Sequence, residues 1–268
     1  MLAYQWHHQT GRSEKATPIV FLHGLLGSQQ DWQPVIDELQ KAELQRFPQF
    51  QPLTIDLPFH GLSAEIRCRD FVEMRHLLDQ TLTHCLDEQP FYLVGYSLGG
   101  RVAMDYVLNM PAKNLLGVVL EGANVGLNRE QERQSRQLND QKWATRFRQE
   151  PIEQVLKDWY QQAVFADLEE NKRSFLIEKR RMNSGTRIAE MLEATGLAKQ
   201  PYYLDLLKEA QTTKNILFFI GERDQKFRQM VEQNQLTHQI ISQAGHNAHQ
   251  ANPSEFVEKL VELVSQFK

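Results

Sequence analysis

The chain has 268 residues, of which 41% are hydrophobic and 24% charged, the proportions of a globular protein with one sizeable core or two small ones. A formal net charge of −4 leaves no basic footprint for nucleic acid or an anionic membrane surface, so neither partner is expected. The two cysteines, Cys68 and Cys85, form no C-x-x-C and have no metal-type His/Cys spacing around them, which points to a reduced, cytoplasmic protein without a disulfide framework or metal site. The opening stretch MLAYQWHHQTGRSEK lacks the apolar run and cleavage site of a signal peptide, and no segment approaches the length of a membrane span.

Short apolar runs bounded by turn residues recur at TPIVFLHG (17–24), QPLTIDLP (51–58), PFYLVG (90–95), NLLGVVLEG (114–122), KNILFFIG (214–221) and THQIIS (237–242), and these read as buried strands. Segments of helical spacing separate the first four: Trp32, Val35, Ile36 and Leu39; then Phe71, Met74, Leu77, Leu78 and Leu82; then the segment after Ser97. Alternation of this kind predicts an α/β fold with an open, mostly parallel sheet flanked by helices. Residues 123–213 break the alternation, being long, polar and helix-prone with apolar positions such as Trp143, Phe147, Val155, Leu156, Trp159 and Tyr160, and they read as a helical cap inserted into a core of 1–122 and 214–268. The chain closes on a further amphipathic helix, with Asn252 as its cap, Pro253 in its first turn, and Phe256, Leu260, Leu263, Val264 and Phe267 on one face.

The cap concentrates positive charge that the net value hides. Arg129, Arg133, Arg136, Lys142, Arg146 and Arg148 crowd one stretch, and Lys172, Arg173, Lys179, Arg180, Arg181 and Arg187 another. Most should belong to solvated helix faces. An arginine turned inward would suit a carboxylate or phosphate through its planar fork of donors, making the ligand an anion.

Ser97 stands in Gly95-Tyr96-Ser97-Leu98-Gly99, at the junction of a predicted strand and helix, the setting of a nucleophile elbow. A serine hydroxyl needs a neighbouring base, itself oriented by an acid, and in this architecture the chain order is Ser, acid, His. Glu222 and Asp224 follow the strand 214–221, with Asp224 preferred by its place in the loop; His246 follows the strand 237–242, with His238 and His249 as competitors. Donors for developing negative charge are expected from the backbone N–H groups of Leu98, next to the serine, and Leu25, in the glycine-flanked loop 23–27. Spacing leaves two uses of such a triad open, attack on a carbonyl carbon by an esterase or C–C hydrolase and proton abstraction by a lyase, beside a pocket that only binds.

The set HG (23–24), DLPFHGLS (56–63), GYSLGGR (95–101), GERD (221–224) and GH (245–246) resembles the α/β-hydrolase superfamily across essentially the whole chain. More specifically, GYSLGGRVAM (95–104), DWYQQAVFA (158–166), MLEATGLAKQP (191–201), GERDQKFR (221–228) and AGHNAHQANP (244–253) are similar to the menaquinone-pathway 2-succinyl-6-hydroxy-2,4-cyclohexadiene-1-carboxylate synthase family, lyases on that fold. The resemblance implies 2,5-elimination of pyruvate from a small tricarboxylate, no cofactor, and a triad of Ser97, His246 and Asp224. It further implies that Arg101, Arg136 and Arg180 hold substrate carboxylates, with Arg133 and Arg181 as near neighbours of the last two, and that Tyr96 and Trp159 line the pocket. A monomer is the expected state.

Overall fold

The computed structural model describes residues 1–7, 16–43 and 50–266. Its centre is a seven-stranded sheet in the order β1-β3-β2-β4-β5-β6-β7. β2 (Thr17–Leu22), β3 (Phe50–Ile55), β4 (Phe91–Tyr96), β5 (Leu115–Glu121), β6 (Ile216–Gly221) and β7 (His238–Ile241) run parallel and match the six predicted strands. Their apolar runs are continuous because both faces are covered: in β4, Phe91 and Leu93 join one apolar cluster while Tyr92 and Val94 join the other. The sequence reading missed β1 (Tyr4–Trp6), which pairs antiparallel with β3 at the sheet edge. A strand of three residues is too short to carry a detectable periodicity.

On one face lie α2 (Phe71–Leu86) and α3 (Leu98–Asn109), and on the other α1 (Gln33–Glu43) and α11 (Pro253–Gln266). α2 starts where the Asp70 carboxylate accepts the Glu73 N–H at 2.9 Å. α11 starts where Asn252 Oδ1 accepts the Glu255 N–H at 3.3 Å, as expected of a capping asparagine, and it buries Phe256, Leu260, Leu263 and Val264. Phe267, assigned to the same face, lies outside the described residues. Short α9 (Gln225–Gln233) and α10 (Ala248–Ala251) come after β6 and β7.

Between β5 and β6 come α4 (Glu130–Gln149), α5 (Ile152–Trp159), α6 (Glu170–Arg180), α7 (Gly185–Thr195) and α8 (Leu204–Ala210). Phe147, Val155, Leu156, Tyr160, Ile188 and Leu192 form their own apolar cluster, and Leu26, from the loop after β2, is buried in it. Leu207 and Tyr203 instead pack into the cluster on the α2/α3 face of the sheet, so α8 is seated on the core. Most of the positive charge here is spent on neighbouring acids: Arg146 pairs with Glu150 and Asp158, Arg148 with Glu193, and Arg187 with Glu65 and Glu190. No helix among the described residues is long and apolar enough to cross a membrane.

Candidate active site

Ser97 joins β4 to α3 with φ 51° and ψ −104°, a region that an L-residue occupies only under strain. The surroundings hold it there: its N–H donates to the Glu121 carbonyl at 2.8 Å and its carbonyl accepts the Arg101 N–H at 3.0 Å. The flanking glycines have a steric reason. A Cβ on Gly95 would lie 2.4 Å from the Gly99 carbonyl oxygen, and one on Gly99 would lie 2.3 Å from that of Leu22, so only glycine lets the first turn of α3 close on the sheet.

The loops after β6 and β7 deliver the partners. His246 Nε2 lies 3.4 Å from Ser97 Oγ, and His246 Nδ1 lies 2.8 Å from Asp224 Oδ2. Asp224 fixes the proton on Nδ1, leaving Nε2 to accept from the serine hydroxyl. Phe227 packs on the imidazole with ring centroids 4.9 Å apart. The competitors are engaged elsewhere: Glu222 accepts the Gln243 N–H at 2.8 Å, His238 donates to the Leu236 carbonyl at 2.8 Å, and His249 Nδ1 bonds to Glu121 Oε1 at 2.9 Å.

The loop after β2 is shaped from beneath by two neutral imidazoles. His23 donates from Nδ1 to the Gly24 carbonyl at 2.7 Å and accepts the Leu57 N–H at 3.0 Å. His60 donates to the Pro58 carbonyl at 2.9 Å and accepts the Leu26 N–H at 3.1 Å. Burial, and then the neighbouring His23, push His60 down to about 3, so it keeps an acceptor nitrogen for Leu26 at any working pH. Leu26 itself has φ 66°, a left-handed turn within this loop. Among the described residues, neither the Leu25 nor the Leu98 N–H donates to a protein acceptor.

Leu25, Leu98, Ser97 and His246 border one cavity of about 300 Å³, whose far wall comes from α4, α5 and α7. Arg101 enters it from α3, donating to the Thr195 carbonyl at 2.8 Å; burial, and then the charge of Arg136, push its pKa down to about 9. Arg136 reaches it from α4 while its Nε donates to Asp140 Oδ1 at 2.7 Å. Trp159 forms an aromatic side of the wall, braced edge-on by Trp143 at 5.0 Å between ring centroids. Among the described residues, no group of three or more His, Cys, Asp and Glu side chains is placed to hold a metal ion.

Residues 17–253 match the family described as the alpha/beta hydrolase fold. The 2-succinyl-6-hydroxy-2,4-cyclohexadiene-1-carboxylate synthase of Yersinia pseudotuberculosis serotype O:1b (strain IP 31758) is 43% identical over 261 residues, 97% of this chain and 92% of that one. The chain belongs to this synthase family. Among solved structures, MenH from S. aureus superposes with a TM-score of 0.86 over 99% of both chains at 26% identity. A thermophilic esterase from Thermogutta terrifontis, with malate bound, has a TM-score of 0.78 over 99% of this chain and 93% of its own at 18% identity, a likeness of fold alone.

Within the synthase family's motifs, two residues expected at the pocket stand elsewhere in this chain. Arg180 is buried behind the Leu26 loop, where its guanidinium grips the Asp31 carboxylate with two bonds of 2.8 and 2.6 Å, so it does not border the cavity. Burial works to raise the Asp31 carboxyl, but Arg180 and Lys179 outweigh it and hold the group well below the usual carboxylate range. Tyr96 likewise packs beneath the cavity, its ring 5.4 Å from that of His246 and 4.8 Å from that of His249. Arg133 turns back to the Leu127 carbonyl at 2.8 Å, and Arg181 pairs with Glu178 at 2.8 Å, so neither exchanges places with its neighbour.

One cavity cation escaped the sequence reading. Lys226, in the first turn of α9 two residues after Asp224, borders the cavity beside Arg136. Desolvation of its ammonium and then the charge of Arg136 lower its pKa, against the pull of Asp224. Its place in GERDQKFR held the signal, because a loop that carries Asp224 to the sheet's carboxyl end brings the adjoining residues there as well.

Proposed function

We propose that this chain eliminates pyruvate from 2-succinyl-5-enolpyruvyl-6-hydroxy-3-cyclohexene-1-carboxylate, giving 2-succinyl-6-hydroxy-2,4-cyclohexadiene-1-carboxylate for menaquinone biosynthesis, with Ser97 as the base. The observation that carries this reading is 43% identity to named synthases over nearly the whole chain, on a chain that holds Ser97, His246 and Asp224 in hydrogen-bond register beside a cationic cavity. As the proton of Ser97 Oγ moves toward His246 Nε2, the serine oxygen takes the hydrogen from the ring carbon next to the succinyl ketone. The C–H electron pair becomes an enolate, whose oxygen the Leu25 and Leu98 N–H groups stabilise. Collapse of the enolate through the ring double bond breaks the C–O bond to the enolpyruvyl group, which leaves and takes up a proton as pyruvate.

The substrate's three carboxylates meet three cations at the cavity, Arg101, Arg136 and Lys226. We assign 123–213 as the cap that supplies Arg136 and Trp159 to the site, 1–122 with 214–268 as the core, and the cytoplasm as the location; the free thiols of Cys68 and Cys85 suit a reducing compartment. The test is incubation with the pathway intermediate while pyruvate release and the absorbance of the conjugated diene are followed together, with intact-mass measurement of the protein. Pyruvate and diene should appear in equal amounts with no mass added to the chain. An acyl adduct on Ser97 would instead make the protein an esterase-type enzyme, and no pyruvate would overturn the elimination.

A further inference from the structure

Beneath the triad lies a second acid–imidazole pair that the elimination does not use. Glu121 and His249 are both fully buried, at 0% exposure. The Glu121 carboxylate accepts twice from the same residue, from the His249 backbone N–H at 3.0 Å and from His249 Nδ1 at 2.9 Å. The imidazole is sandwiched, its ring 4.4 Å from Trp32 and 4.8 Å from Tyr96. Its Nε2 has no hydrogen-bond partner among the described residues, so the pair has no protein acceptor through which to pass a proton onward.

Burying a hydrogen-bonded polar pair of this kind is no gain over a well-packed apolar pair, so its stability alone does not account for it. Its connections do. Glu121 ends β5, and its carbonyl accepts the Ser97 N–H at 2.8 Å, which ties it to the elbow. The next residue, Gly122, has φ 54°, and a Cβ there would lie 2.8 Å from His246 Cε1, so the catalytic imidazole rests directly on this strand end. His249 comes three residues after His246, and the carboxylate bonds therefore clamp the His246 loop to the strand that also fixes Ser97. Tyr96 fills the space between the two imidazoles.

We propose that Glu121 and His249 are positioning residues that set the distance between His246 Nε2 and Ser97 Oγ, so that they govern kcat and leave KM almost untouched. This rests on the elimination reading for its substrate, but the geometry of the Ser–His contact has a second readout, the rate at which a fluorophosphonate probe modifies Ser97. The decisive variant is His249→Phe, which keeps an aromatic ring between Trp32 and Tyr96 and removes only the Nδ1 bond. It should fold, with kcat lowered about 10- to 100-fold, as expected when a reacting group is displaced by a fraction of an ångström to an ångström. KM should stay within about twofold, and the phosphonylation rate should fall in step with kcat. Glu121→Gln, which keeps a carbonyl oxygen toward His249, should lose less than Glu121→Ala.

If the wild-type protein releases no pyruvate, the elimination reading fails, while the probe rates still decide the pair. A folded His249→Phe whose kcat and probe rate both stay within twofold of wild type overturns the proposal. So does a fall in activity that vanishes once rates are normalised to titratable Ser97. Failure of His249→Phe and Glu121→Gln alike to fold would also overturn it, because the pair would then be a folding element and not a positioning one.

Discussion

Arg180→Met separates a substrate ligand from a structural clamp. Both partners of the Arg180–Asp31 pair are buried, with side-chain exposures of 8% and 4%, and the guanidinium makes two charge-assisted bonds to one carboxylate. Removing one member of a buried pair costs about 3–5 kcal/mol, because the other charge is left desolvated. Lys179 stays 2.8 Å from Asp31 Oδ1 and shields part of that loss, which places the expected value near the lower end, about 3 kcal/mol. The corresponding fall in Tm is about 6–12 °C for a chain of roughly this size. Urea unfolding of wild type, Arg180→Met, Asp31→Asn and the double variant measures the coupling directly, and the double variant should lose less than the sum of the singles. The pH dependence comes from the depressed Asp31 pKa: a carboxylate favoured in the folded state contributes stability above its unfolded value of about 3.9, and the contribution is lost as pH falls through the folded value. The gap in stability between wild type and Arg180→Met should therefore be constant near neutrality and narrow below about pH 4. An Arg180→Met protein as stable as wild type but with a raised KM would refute the clamp and return Arg180 to the substrate.

Ser97→Ala should lower pyruvate release by more than about a thousandfold while product binding, followed by calorimetry, stays near wild type; activity within tenfold of wild type would exclude Ser97 as the base. Arg101→Ala should cost about 2–5 kcal/mol in kcat/KM on the tricarboxylate, roughly 30- to several-thousand-fold, and little on a neutral nitrophenyl ester, with Arg101→Lys between. Equal losses on both substrates would mean that Arg101, through its bond to the Thr195 carbonyl, supports the fold instead. Arg136→Ala should cost less, about tenfold, because that side chain is 33% exposed and already shares its charge with Asp140. Gly99→Ala should destabilise by at least about 2 kcal/mol through overpacking, since the new Cβ would meet backbone and not a movable side chain; thermal melting checks it.

What was legible in the sequence was whatever repeats or is fixed by covalent neighbours. The parallel strands announce themselves as apolar runs because each is buried on both faces, and the triad can be read from them, since Ser97, Asp224 and His246 each come just after such a run. Choosing Asp224 over Glu222, and His246 over His249, rests on a few loop positions, and it is His246 that lies 2.8 Å from Asp224 and 3.4 Å from Ser97. The arginines were harder. Whether a guanidinium enters a cavity or finds an internal acid depends on which residues long-range packing brings to it, and Asp31, 149 positions before Arg180, leaves no mark near EKRR. Lys226 was overlooked for the converse reason: its value lies in a cavity wall assembled from α3, α4 and α9, which no local pattern encodes.

Leu26 sits on the loop that carries the Leu25 N–H, yet its side chain is buried in the apolar cluster of the helices between β5 and β6, and Asn183 donates to its carbonyl at 3.1 Å. The apolar interior of helices α4 to α7 and the loop that presents the Leu25 N–H, proposed above as an oxyanion donor, are thus one packed unit. Transplanting helices α4 to α7 from a relative to change substrate preference would consequently also reset the aim of the Leu25 N–H unless residue 26 travelled with them. Chimaeras that move the 23–27 loop together with those helices should keep a working elbow, whereas exchange of the helices alone should lose turnover on every substrate alike. Lineages that diversify these helices are then expected to change them and this loop in concert, a covariation that arises from shared packing and not from any contact with the substrate.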